Sequence, residues 1–143
     1  MNQAWRIFSQ QSEPQVQADA WSRAAQRFFA CTAVIVPKHD ACSIAIAGAE
    51  RDVLGRMRGE SDLRDALAAE NRTGFTGLYD LAGRRCPVIW LVTRESPTDR
   101  TALLMAAILA SVCLGPILGD DALFGVRTAR EKLERLDLTP RDR

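Results

Sequence analysis

The stretch ACTAVIVPKHDACSIAIAG, residues 30–48, decides the fold class. Residues 30–36 are rich in β-branched side chains and read as a strand. Pro37, Lys38, His39 and Asp40 are turn chemistry, with proline fixing φ and Asp able to bond its own backbone. Residues 42–48 are a second short apolar run, so the pair predicts an antiparallel hairpin. Upstream, Ser12, Glu13 and Pro14 read as a helix cap, a first-turn acid and a first-turn proline. Val16, Ala20, Trp21, Ala24, Ala25 and Phe28 then recur at helical spacing as far as Phe29.

Downstream, Val53, Leu54 and Met57 lie on one helical stripe, and Ser61 or Asp62 can cap a further piece holding Leu63, Ala66 and Leu67. Residues 50–70 therefore read as helix, in two pieces joined near Gly59. NRTGFTG is a loop, and LYDLAGRRCPVIWLVTRE, residues 78–95, predicts a second hairpin turning at Ala82-Gly83. Its second strand, Pro87–Thr93, is apolar in succession, which predicts a central position covered on both faces. Thr98 caps a long apolar helix that stops at Gly115-Pro116, and a final helix starts at Asp120 or Asp121. Its residues Ala122, Val126, Ala129, Leu133 and Leu136 form a heptad seam flanked by charges, which predicts a paired helix. Hairpins alternating with helices give an α+β domain: an antiparallel sheet built from two hairpins with packed helices, plus a C-terminal amphipathic helix.

With 143 residues, 47% hydrophobic, the chain is long enough for one domain with its own core. Nineteen basic against eighteen acidic residues leave +1, so no bulk field draws it to nucleic acid or an anionic membrane. Residues 102–118 carry no charge, but 17 residues broken by Gly115-Pro116 fall short of the roughly 20 of a membrane span. The opening MNQAWRIFSQQSEPQ has no apolar signal core, and four scattered cysteines read as reduced core thiols, so a cytoplasmic protein without a membrane segment is expected.

No residue pattern predicts catalysis, a metal or a cofactor. His39 with Cys42, or Cys86, offers the one nucleophile reading, weighed against a turn residue beside a core thiol. Asp62 and Asp65 read as surface charges. Among the sparse aromatics, Phe75, Tyr79 and Trp90 are candidate pocket residues, and Val126, Ala129, Leu133 and Leu136 are the candidate dimerisation residues.

TGLYDLAGRRCPVIWLVTRESPTDRTALLMAAILASVCL, residues 76–114, resembles the second half of a GAF-type sensor domain, and the helix with residues 30–48 is similar to its opening. Profilin-like roadblock modules share a similar strand-and-helix order and bind partner proteins. LTPRDR, residues 138–143, resembles the opening of a LuxR-type helix-turn-helix domain, with Asp142 where Glu is usual. These resemblances imply a sensor domain over 1–118, a connector and dimerisation helix over 119–137, and the start of a DNA-binding domain at 138–143. The implied protein is a homodimeric transcriptional regulator that takes a small-molecule or protein effector and meets DNA only through a domain beyond this chain. The rival expectations are a roadblock-like scaffold module and a small cysteine-dependent enzyme.

Overall fold

The computed structural model describes residues 4–74 and 77–138. It is α+β, with a seven-stranded antiparallel sheet and helices on both of its faces. The expected start of a DNA-binding domain lies outside the described residues, apart from Leu138 at the end of the last helix.

The chain opens with β1 (Ala4–Ser9), a central strand that the sequence reading did not anticipate. Its side chains divide between the faces: Trp5 and Ile7 join one core, while Phe8 joins the other. Residues 10–17, expected to begin a helix, instead cross the sheet as an ordered loop. Gln11 Nε2 donates to the Gln15 carbonyl (2.8 Å), and the Val16 amide donates to the His39 carbonyl (3.0 Å). The helix α1 (Ala18–Phe29) starts only after it. The hairpin of β2 (Ala33–Lys38) and β3 (Ala41–Ile46) forms as expected, pairing Ala33 with Ile46 through Lys38 with Ala41.

Residues 49–57 are the largest departure. They form β4 (Ala49–Met57), where a helix was expected. The stripe of Val53, Leu54 and Met57 misled, because Leu54 and Met57 are exposed and only Val53 is in the core. Arg51, Val53 and Gly55 alternate inward at the strand period of two. Gly55 pairs with Trp90, and a Cβ there would lie 2.6 Å from the Trp90 ring.

The predicted second helical piece is α2 (Glu60–Thr73). Residues 78–85 form α3 (Leu78–Arg85), not a strand, so no hairpin turns at Ala82-Gly83. Asp80 and Arg84 pair one turn apart at 2.8 Å, and the Tyr79 amide donates to Glu70 Oε1 (2.9 Å). These local bonds favour a helix over eight residues whose apolar pattern fits either state. β5 (Val88–Thr93) is central and covered as expected, lying between β4 and β1.

α4 (Arg100–Cys113) is buried without interruption from Ala102 to Ala110, which explains its uncharged sequence. Its cap is Asp99 and not Thr98: Asp99 Oδ1 accepts from the Ala102 amide at 3.1 Å. Among the described residues no helix is long and apolar enough to cross a membrane. After Gly115-Pro116 the chain makes β6 (Ile117–Leu118) and β7 (Leu123–Phe124) before α5 (Val126–Leu138). The sheet order is β2-β3-β4-β5-β1-β6-β7.

Strand alternation divides the core in two. Trp5, Ile7, Trp90, Ile44 and Phe124 face α1, α4 and α5. Phe8, Ile89, Leu118 and Leu123 face α2 and α3. These two helices cover only part of their side, and Val34, Val36 and Leu54 stay exposed on the outer strands.

Candidate functional site

The thiols are poorly disposed to act as nucleophiles. Cys42, Cys86 and Cys113 are buried, and desolvation pushes their pKa values up to about 12, 11 and 12, with Asp52 adding to the rise at Cys42. Cys31 is raised in the same direction by partial burial. A thiol so far from ionising at neutral pH is a poor attacking group. His39 stands in the exposed turn between β2 and β3, while Cys42 points into the core. Among the described residues no cluster of His, Cys, Asp or Glu is arranged to hold a metal ion.

The three aromatic candidates are not brought together. Trp90 packs edge-on against Trp21, with ring centres 5.0 Å apart, and its Nε1 donates to Gln11 Oε1 at 2.7 Å. Tyr79 packs on the opposite side of the sheet, against the core under α2 and α3. Phe75 lies outside the described residues. Trp90 is a core residue and shares no pocket with Tyr79.

The heptad seam is likewise spent inside the chain. Ala129 and Leu133 are buried, and Val126 and Leu136 pack against the same core beneath α4 and β7. That burial takes Ala129 and Leu133 out of any surface for a second copy, while Val126 and Leu136 keep part of their exposure. Arg100 pairs with Asp137, and Arg130 donates to the Phe28 carbonyl (2.6 Å), so both ends of α5 are fastened to the body.

Of the two carboxylates read as surface charges, Asp62 is structural, while Asp65 is about half exposed. Asp62 is fully buried and accepts from Arg56 (2.7 and 2.9 Å), Arg6 (3.1 Å) and the Gly59 amide (2.8 Å). Burial alone would raise its pKa, but these bonds outweigh it and hold the group at about 2. Arg6 also reaches Asp65, at 2.9 Å. Asp99 binds the Arg51 guanidinium through both oxygens, at 2.9 and 3.1 Å, and its pKa is lowered against the effect of burial.

Two surface features can bind something. A pocket of about 200 Å³ is lined by Trp5, Pro97, Leu103, Lys132, Arg135 and Leu136. Behind it Arg94, itself buried, stacks 4.4 Å over the Trp5 ring and donates to Asp120 (2.6 Å). The Arg94 Nε and Trp5 Nε1 have no hydrogen-bond partner. Burial without a partner is costly for such groups, and the Trp21 Nε1 in the core is in the same position.

The second feature is an open apolar groove. Two depressions of about 390 and 400 Å³ meet at Phe28. The first lies between α3, α4 and α5, with Leu78, Leu81, Leu114 and Val126 in its wall. The second lies along α1, beside Val112. Among the described residues the charged ones in either wall are Arg130, Arg23 and Arg27. The sequence did not single out Phe28 or Leu114, because Phe28 falls on the apolar stripe of α1 and Leu114 closes the apolar run of α4.

Comparison with protein-family models, with curated proteins and with solved structures gives no match to this chain.

Proposed function

We propose that this chain is the non-catalytic regulatory domain of a transcriptional regulator, in which α5 passes the state of the body to a DNA-binding domain beginning at LTPRDR. One observation supports this reading above the others. The pocket beside Trp5 is walled on one side by Trp5, Pro97 and Leu103 of the body and on the other by Lys132, Arg135 and Leu136 of α5. A ligand held there touches both halves at once, and its preference for one seating of α5 is the most it can transmit. An effector that binds one seating 100-fold more tightly shifts the balance by roughly 2.7 kcal/mol, enough to invert a tenfold bias. Lys132 in the pocket wall, among otherwise largely apolar neighbours, suits a small organic anion with an apolar body.

The reading is tested by the coding sequence after Arg143. It requires a helix-turn-helix segment in frame; a stop codon or an unrelated segment there removes the regulator and leaves only a binding domain. A scaffold module is the second reading, favoured by the groove at Phe28 being open along its length, as protein partners require, and not enclosed as ligand pockets are.

A further inference from the structure

Phe28 is 47% exposed and Leu114 is 61% exposed, and both stand in one groove. Leu114 is the more telling of the two. It caps α4 in the left-handed conformation at φ 60°, a position that glycine or asparagine occupies with less strain. A bulky apolar side chain held there, pointing outward, contributes nothing evident to the core. Strain of this kind is retained where the side chain has work to do.

The charges around it all carry one sign. Arg23, Arg27 and Arg130 line the groove, and none forms an ion pair with a carboxylate among the described residues. Arg27 lies 5.6 Å over the Phe28 ring and Arg130 lies 4.2 Å over Phe29, so the guanidinium planes extend the apolar wall while leaving donors for an incoming acid. A second copy of this chain is a poor occupant. A two-fold interface would gather the same three arginines from each copy around one axis. The walls are mostly helix, and among the described residues no strand residue lines them, so an added strand has nothing to pair with.

We propose that the groove between Phe28 and Leu114 docks an amphipathic, acidic helix of a partner protein. Two apolar side chains on one face of that helix enter the two depressions on either side of Phe28. Glu or Asp residues flanking them meet Arg23, Arg27 and Arg130. This surface shares no lining residue with the pocket at Trp5 and does not depend on a DNA-binding domain following the chain.

The test is a calorimetric titration of the full chain with a synthetic helical peptide of roughly 15 residues, Leu on one face and Glu elsewhere. Controls are the peptide with every Glu changed to Lys, and vesicles of phosphatidylcholine with phosphatidylglycerol. Micromolar binding of the Glu peptide, with none of the Lys peptide, is expected. Reversing two exposed charges, R23E with R27E, is expected to weaken it at least tenfold. Leu114→Asn is expected to weaken it roughly tenfold while leaving the thermal midpoint unchanged or higher, which separates lost contact from lost fold. The proposal is overturned if the Glu peptide fails to bind, if both peptides bind alike, or if R23E/R27E and Leu114→Asn bind as the parent does. Capture of the chain by the anionic vesicles in place of the peptide would overturn it in favour of a membrane surface.

Discussion

Asp62 carries a charge into a place with no water, and three donors make that tolerable: Arg56, the Gly59 amide and Arg6. Its folded pKa of about 2 lies below the ordinary value of 3.8. The unfolded chain therefore takes up this proton first as pH falls. The stabilisation is complete above about pH 4 and is lost as pH drops through about 2, and it amounts to about 2 kcal/mol. Asp62→Asn should flatten the acid limb of stability between those values. At neutral pH it should cost about 3 kcal/mol in urea unfolding, because Arg6 and Arg56 lose their shared anion. Gly55 is constrained differently, by the close passage of Trp90. Gly55→Ala should destabilise by about 2 kcal/mol, read as a lower urea midpoint at unchanged slope.

At the scale of elements, sequence legibility followed length and context. The hairpin at Ala33–Ile46, the central strand Val88–Thr93 and the apolar helix Arg100–Cys113 were readable because their patterns are long or flanked by unambiguous turns. β1, β4 and α3 were not. Six residues of β1 give too few repeats to establish a period, and Val53, Leu54 and Met57 satisfy a helical stripe as well as a strand. In α3 the helix is favoured by the Asp80–Arg84 pair within the segment and by the bond from the Tyr79 amide to the more distant Glu70, and the apolar pattern alone fits either state. The assignment of α3 has a sharp consequence at Gly83. In a helix its added methyl meets only the Leu63 side chain, at an ordinary 3.8 Å. Gly83→Ala should therefore stabilise by about 0.8 kcal/mol, raising Tm by about 2 °C. In a hairpin turn requiring positive φ, the same change would lower it.

The whole molecule is organised around α4, which packs on the sheet between α1 and α5. The candidate sites are products of this assembly. Trp5, Lys132 and Leu136 are far apart in the chain, as are Phe28, Leu78 and Leu114, so neither the pocket nor the groove could be read from local sequence. The seam on α5 was legible as apolar; that its partner would be the chain's own core was not, because periodicity specifies a face and not what covers it. Everything proposed for signal transfer rests on α5 being part of the body. Native-state hydrogen exchange of the full chain in low urea measures this directly. The account predicts that amides of residues 129–133 exchange with the same free energy as those of α4, and lose protection with it as urea rises. Amides of α5 that exchange freely while α4 stays protected would contradict it.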